Sequence, residues 1–482
     1  MITLDSYIGG RWQSSDASPV WDVNPARPSE AVAYVHHADP AMATAAVEAA
    51  AAAFPVWAKT LAPERGALLR RAAHLLAERA EEIGRDCSSE EGKVVSEAVA
   101  ETRKAASILQ YFAGQALDPD GETYPSSSPG TFLFSRREPL GVVAAVTPWN
   151  FPIVIPAWKI APALVFGNTV VWKPAEITPL TAVHLVRALE DAGLPAGVLN
   201  LVLGRGSVVG KVLTEHPSVR AITFTGSTPV GRGIEARAVP LGKKVQLEMG
   251  GKNPAVILAD ADMERAAQTV ARAAFLHAGQ KCTATSRVIV ERAGYDEFSS
   301  RLVEVARTMR VGDPFDEHTR IGPLASQDQL DTVMEYLKIG RAEGAFTETG
   351  GSRLDDLGDG YFVAPTVLSG LDASSRVVRE EIFGPVAALL PAANYEEAVR
   401  LANDTVFGLS ASLFTRDLDK AFRFAADSAT GLVKVNQETT NTEIHIPFGG
   451  VKDSSSGARE QGKTARDFFT ERKTVYITHS RS

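Results

Sequence analysis

The stretch HAGQKCTATSR, residues 277–287, places Cys282 between a lysine and a row of hydroxyl side chains, in a chain with only 2 cysteines. As a thiolate, a cysteine attacks carbonyl carbon and forms covalent intermediates. As a thiol it behaves as a small hydrophobe and is among the most buried residue types. His277, five residues earlier, raises the chemistry of a Cys–His hydrolase, although the surroundings of a papain-type nucleophile are absent. Cys87, in EEIGRDCSSEEGK, lies on a predicted helix and carries only the hydrophobic reading.

A second kind of chemistry is phosphate binding. FTGSTPVG (224–231) puts Gly226 and Ser227 at a strand end and Gly231 where a helix begins. Glycine there lets backbone N–H groups approach a pyrophosphate at the positive end of the helix. LGRGSVVG (203–210), with Gly206, repeats the arrangement. Neither spacing is GxGxxG, so a plain strand-to-helix turn explains each one taken alone. In VVWKPAE (170–176), Lys173 and Glu176 follow another strand, where a carboxylate can accept from a ribose hydroxyl. Two solvated loop charges are the alternative.

The elements that must position these residues alternate regularly from Gly141 onward. Apolar runs at 141–146, 168–172, 198–203, 219–224 and 244–248 predict strands, with helices near 152–165, 179–192, 207–216 and 229–238. Thr178–Pro179 predicts a helix start, and Gly193 followed by Pro195 a stop. Strand–helix units with short connections imply a parallel, doubly wound sheet. A second α/β series runs from about 254 to 435, with no fixed-period repeat between the two. Upstream, the patterns predict helices over 41–53, 63–84 and about 88–116. The polar break DPDGETYPSSSPG followed by TFLFSRREPLG predicts a projecting hairpin.

The bulk composition narrows the function classes. A chain of 482 residues with 45% apolar and 22% charged side chains suits a globular protein of two or three domains. A net charge of −8 without a basic run argues against nucleic acid as a partner. Two cysteines make no disulfide framework and no CxxC pair; no metal site is expected, and a reducing cytoplasm fits. The start MITLDSYIGGRW lacks the features of a secretory signal. Pro139–Trp158 is uncharged, but Pro148, Pro152, Pro156 and Asn150 would break a spanning helix, so no membrane partner is expected.

Seven motifs, TPWNFP, WKPAE, FTGSTPVG, LEMGGKNP, GQKCTA, EEIFGPV and PFGGVKDSSSGARE, occur in the order that resembles the aldehyde dehydrogenase superfamily. The resemblance runs from YIGGRW to the carboxyl-terminal strand. It implies an α/β aldehyde dehydrogenase fold with three parts. These are a Rossmann-like doubly wound nucleotide domain (1–118 and 140–248), an α/β catalytic domain (249–461) and a β-hairpin oligomerisation arm (119–139 and 462–482). It further implies a homodimer or homotetramer.

The resemblance also implies roles for residues. Cys282 is the nucleophile, forming a thiohemiacetal and then a thioester. The Asn150 side chain and the Cys282 backbone N–H hold the oxyanion, and Glu248 is the general base. Lys159 and Glu460 match a proton relay, or equally an ordinary ion pair. Thr147, Pro148, Trp149 and Gly250 fall in cofactor-binding motifs, and Glu381 and Phe383 match the residues at the nicotinamide ribose and ring. Met249 stands where leucine is usual. The expected cofactor is NAD, with NADP possible and Lys173 softening the preference set by Glu176. A coenzyme-A-acylating enzyme is the rival within the class, with Glu248 against it; a cysteine hydrolase and a non-catalytic binding protein are the rivals outside it.

GQKCTATSRVIV, AWKIAPALVFGNTVVWKPAE and SSSGAREQG are similar to bacterial dehydrogenases of 2-oxoglutarate semialdehyde, which is the expected aldehyde; succinate semialdehyde or an aliphatic or aromatic aldehyde is the alternative. Succinate semialdehyde dehydrogenases carry arginines where this chain has Trp158 and Leu276, so a bidentate carboxylate clamp is not expected. Lys281, the hydroxyls of Thr283 and Thr285, or backbone N–H groups would receive the distal carboxylate instead. NQETTNTEIHIPFGG departs from the family pattern, so Asn441 to His445 are expected to reshape the pocket mouth.

Overall fold

The computed structural model describes residues 2–479; Met1 and residues 480–482, at the ends of the expected division, lie outside the described residues. Five parallel strands form the middle of an eight-stranded sheet: Lys244–Glu248, Val219–Thr225, Val142–Val146, Thr169–Lys173 and Leu199–Leu201, in that spatial order. Their near-continuous apolar sequence suits strands covered on both faces. Val142–Val146 comes first in the chain but lies in the middle, and later strands add to one side and then the other. The crevice outside the carboxyl ends at this reversal is where such sheets bind ligands. Antiparallel edges are added by Ser455–Ser456 on one flank and Ser6–Ile8 with Arg11–Gln13 on the other.

The helices Val154–Val165, Pro179–Asp191 and Thr228–Ala238 lie where the pattern puts them. Their detail differs in instructive ways. The Thr178 hydroxyl makes no capping bond. Instead the buried Glu90 carboxylate accepts from the N–H of Thr181 at 2.9 Å and from that of Leu180. A carboxylate at a helix start is favoured by the dipole as well as by the bonds. The stop at Gly193 is as expected, with φ of 89°. The segment expected to be helical from 207 opens as a π turn, Gly206–Gly210, before Lys211–Glu215.

The two long upstream helices are in fact three. Ala62–Glu78 breaks at Arg79, and Ala80–Glu91 ends at Gly92, whose φ of 93° is left-handed; Val95–Gln115 then begins anew. Apolar spacing passes through both breaks, because Leu76, Ala80, Ile83 and Cys87 enter the core on either side of Arg79, and Val94 and Ala98 do so beyond Gly92. Periodicity therefore hid the joints.

A second sheet of seven strands runs Phe346–Thr349, Thr366–Ser369, Val386–Ala392, Thr285–Glu291, Asn253–Ile257, Ser410–Phe414 and Leu432–Val435. It is parallel except at the Phe346–Thr349 edge. Thr131–Pro139 pairs antiparallel with Thr470–Thr478 along their whole length, and Thr123–Tyr124 adds a third strand. A further small sheet, Ile2–Leu4, Ala31–Val35 and Val20–Val23, had no reading in the sequence, since its strands are too short to display alternation. Among the described residues no helix is long and apolar enough to cross a membrane.

Candidate active site

After helix Met263–Phe275 the chain turns through three consecutive left-handed residues, His277 (φ 59°), Ala278 (φ 49°) and Gly279 (φ 68°). Two of them carry a Cβ, and such conformations cost roughly 1–3 kcal/mol each, so the surroundings must hold them. The Asn150 amide donates to the Gln280 carbonyl at 2.9 Å, and the Ala325 N–H donates to the Gln280 side chain at 3.0 Å. Asn253 donates to the carbonyls of Cys282 and Ala284 at 2.8 and 2.9 Å. Asn150 is fixed from its other side, where buried Lys93 donates to its carbonyl at 2.7 Å. One N–H of the Asn150 amide is thus engaged and the other is left over.

Cys282 sits where two cavities meet. Both are lined by Ile155, Thr225, Met249 and Cys282. Burial, and after it the charges of Glu381, Glu248 and Glu460, push the Cys282 thiol up to about 12. At rest it is a thiol and needs a base. Glu248 ends strand Lys244–Glu248, is buried, and accepts from Ser455 Oγ at 2.6 Å. Burial first, and Glu460 second, hold its carboxyl well above the usual range, against the opposing pull of Ser455 and Lys159. Lys159 and Glu460 form an ion pair with side chains 1% and 3% exposed, and Lys159 also donates to Thr223 Oγ1 at 3.0 Å.

The cavity on the nucleotide side holds about 240 Å³ and is lined by Pro148, Trp149, Gly226, Ser227, Gly250 and Glu381, with Phe383 beside them. Trp149 and Phe383 meet edge to face, with centroids 5.4 Å apart. Phe383 is left-handed at φ 57°, and Gln329 holds that turn by donating to the carbonyls of Ile382 and Phe383 at 3.0 and 2.9 Å. Glu381 accepts from the Gly251 N–H at 2.9 Å and is pushed up to about 7 by burial. A Cβ at Gly250 would collide with a Glu381 carboxylate oxygen, so the Glu381 side chain could not keep this position over anything but glycine.

Thr147, Lys173, Glu176, Gly206 and Gly231 are not in that lining. The Thr147 hydroxyl accepts from the Trp172 indole at 2.9 Å. Gly231 sits within helix Thr228–Ala238 where a Cβ would come 2.6 Å from Met249 Sδ, so it serves close packing. Lys173, Glu176 and Gly206 form an outer group at the end of strand Thr169–Lys173. Glu176 accepts from the Gly206 N–H at 3.0 Å, and burial lowers Lys173 to about 8. Among the described residues no carboxylate pairs with Lys173, which donates to the Pro174 carbonyl.

The cavity on the other side holds about 280 Å³ and includes Glu248, Glu460, His277, Trp158 and Lys104 in its walls. His277 does not bond to Cys282. Its Nε2 is engaged by Glu91 at 2.5 Å, and burial holds it well below the usual imidazole range. Asn441 and Thr442 line this cavity, as expected of the pocket mouth, whereas His445 does not. Asn253 and Ser455 lie within LEMGGKNP and PFGGVKDSSSGARE, where their side chains carry no mark of the bonds they make. Lys93, in the joint between two helices, and Lys104, on the second of them, carry no signal, because a lysine in a helical pattern reads as a solvated charge.

A base at a strand end and a strained cysteine loop, brought to one seam beside a doubly wound sheet, define a class of protein: this chain belongs to the aldehyde dehydrogenase family, whose sequence pattern matches residues 12–475. Within it, the chain is 44% identical to the alpha-ketoglutaric semialdehyde dehydrogenase of Bacillus subtilis (strain 168), over 98% of each protein. It is 45% identical to the alpha-ketoglutarate semialdehyde dehydrogenase of Haloferax volcanii, over 98% of this chain and 99% of that one. A crystal structure of betaine aldehyde dehydrogenase from Staphylococcus aureus in complex with NAD+ superposes with a TM-score of 0.97 at 35% identity, covering 100% of this chain and 96% of the other.

Proposed function

We propose that the protein oxidises 2-oxoglutarate semialdehyde to 2-oxoglutarate with NAD and water. The observation that carries this is the position of Cys282 between two cavities, one at the nucleotide end of the sheet and one with Glu248, Glu460 and Lys104 in its walls. The residues fit a dinucleotide. Ser227 leaves the first N–H groups of its helix uncapped by its side chain, Lys173 is a buried ammonium without a carboxylate, and Gly250 keeps the backbone bare under Glu381. Pro148, Trp149 and Phe383 would wall the nicotinamide, and Glu381 and Glu176 would take the two riboses, with Thr147 and Gly231 supporting from behind. NAD, when bound, supplies the acceptor for the hydride that leaves the thiohemiacetal carbon.

Glu248 takes the Cys282 proton, and the thiolate adds to the aldehyde carbon. The free Asn150 N–H and the Cys282 backbone N–H receive the oxyanion. After hydride loss the carbon is held as a thioester on Cys282. Glu248 then removes a proton from water, whose oxygen displaces the sulfur and releases the carboxylate. Glu460 raises the basicity of Glu248, and we assign the Lys159–Glu460 pair the onward passage of its proton.

The same proposal covers assembly and place. The arm exposes Phe132, Tyr476 and Ile477 at 54%, 71% and 54%, which favours burial against other copies in a dimer or tetramer. The division into nucleotide, catalytic and arm units stands with it, and two free cysteines suit a reducing cytoplasm. The test is an aldehyde panel with NAD, with and without coenzyme A, following NADH. 2-Oxoglutarate semialdehyde should exceed succinate semialdehyde, propanal and benzaldehyde in kcat/KM by at least about tenfold, about 1.4 kcal/mol. NADH formation that requires coenzyme A, or none from any aldehyde, overturns the reading.

A further inference from the structure

Lys104, on helix Val95–Gln115, lines the cavity that holds Cys282, Glu248 and Glu460. The other lysines of this cavity have acidic partners. Lys93 pairs with Glu101 and lies 3.9 Å from Glu91, and Lys281 lies 3.9 Å from Glu97. Among the described residues Lys104 has no carboxylate within ion-pair reach. Its ammonium donates to the carbonyl and hydroxyl oxygens of Thr442 at 2.9 and 3.0 Å, which leaves one proton over. The Thr442 hydroxyl, having accepted, keeps its own proton to give.

A second, independent group in the same wall lacks a partner. Trp158 is 8% exposed and lies stacked on Phe448, with ring centroids 5.7 Å apart. Its indole N–H is buried and finds no acceptor. The Lys104 ammonium stands 5.8 Å from the Trp158 ring centroid. A buried donor left unsatisfied is costly unless something arrives to accept from it. Of the donors expected from the sequence, Thr285 is bonded to Thr439 Oγ1 at 2.8 Å and Lys281 lies 3.9 Å from Glu97, while Thr283 stays in the wall of the same cavity nearer Cys282 in the chain.

We propose that Lys104 Nζ, Trp158 Nε1 and Thr442 Oγ1 form a subsite for the far end of a semialdehyde acid whose aldehyde carbon lies at Cys282. The subsite rests on the substrate reading above and extends it. An α-keto acid end presents two carboxylate oxygens and one ketone oxygen, three acceptors for three donors. A simple carboxylate meets three donors only by accepting twice at one oxygen, without the third oxygen that spreads them apart, and an alkyl end leaves all three unpaired. Trp158 thereby becomes a donor in its own right.

The experiment compares kcat/KM for 2-oxoglutarate semialdehyde with that for pentanal in the wild type, Lys104→Met, Lys104→Arg and Trp158→Phe. In Lys104→Met this ratio should fall about 10- to 100-fold, the worth of a charge-assisted hydrogen bond, with the loss carried by KM. Lys104→Arg should recover part of it, and Trp158→Phe, which keeps the ring, should lose about three- to tenfold. An unchanged ratio in Lys104→Met overturns the subsite while the substrate reading stands. A wild type that prefers pentanal overturns the substrate reading instead, and the subsite is then read from glutarate as an inhibitor competing with the aldehyde. Glutarate inhibition weakened tenfold or more in Lys104→Met keeps the subsite; unchanged inhibition, or none in the wild type, sinks it.

Discussion

On the nucleotide side of Cys282 one whole wall is strand ends and bare backbone, with Pro148 and Trp149 after one strand, Gly226 and Ser227 after another and Gly250 after a third, closed opposite by Glu381 and Phe383. On the aldehyde side the walls are side chains from distant parts of the chain, with Lys104 from a helix, Trp158 from a second and Thr442 from a loop. The first wall follows from the topology of the sheet, since a doubly wound order makes a crevice wherever its direction reverses. The second depends on which side chains happen to face inward, and those positions are free to vary without disturbing the sheet. One side is therefore suited to a shared cofactor and the other to a particular aldehyde.

That contrast can be broken most sharply at the seam itself. Cys282→Ala should abolish NADH formation with every aldehyde, since no covalent intermediate forms. Glu248→Gln should release at most one NADH per active site, more slowly than the wild type because Glu248 also takes the Cys282 proton, and then stall with an acyl-enzyme, its steady-state rate lowered by about two to four powers of ten. The wild-type rate should climb with pH as Glu248 ionises. Burial and Glu460 displace that limb upward from the usual carboxylate range, and the limb should be missing in Glu248→Gln. Rapid-mix kinetics and a pH series check both points. Normal steady-state turnover in Glu248→Gln would remove Glu248 as the base.

A smaller effect is expected at the oxyanion. Asn150→Ala should lower kcat by about two to three powers of ten for charged and uncharged aldehydes alike, because the donor serves the reacting carbon and not the far end. A loss confined to one class of aldehyde would move Asn150 to the substrate side of the comparison. Smallest is the cofactor choice. Glu176→Ser should raise the ratio of kcat/KM for NADP over NAD by about tenfold, since a carboxylate repels a 2′-phosphate. A wild-type preference for NADP, or an unmoved ratio, refutes the role of Glu176.

How much of this was legible follows the same division. The parallel strands and their helices were readable because apolar runs of that length, punctuated by Pro179 and Gly193, admit little else. The ordered motifs carried the family. The break at Gly92 was not readable, because apolar spacing continues across it into the next helix. Nor was the cap on Pro179–Asp191: Thr178 has the right chemistry, but Glu90 from another helix holds the position. Gly231 looked like a phosphate-binding glycine and is where the helix meets Met249.

The sequence by itself determined the class of chemistry, for a nucleophile, a base and an amide donor are residue types whose reactivity is intrinsic. It also determined the alternation that winds the sheet, because local hydrophobic period is a property of neighbours along the chain. Only the tertiary structure decided that Cys282 is a high-pKa thiol, that His277 belongs to Glu91, and that Lys104 and Trp158 share a wall with unused donors. Those are properties of burial and of partners far apart in sequence, and a charge on a helix carries no mark of which way it will face until the helix has packed.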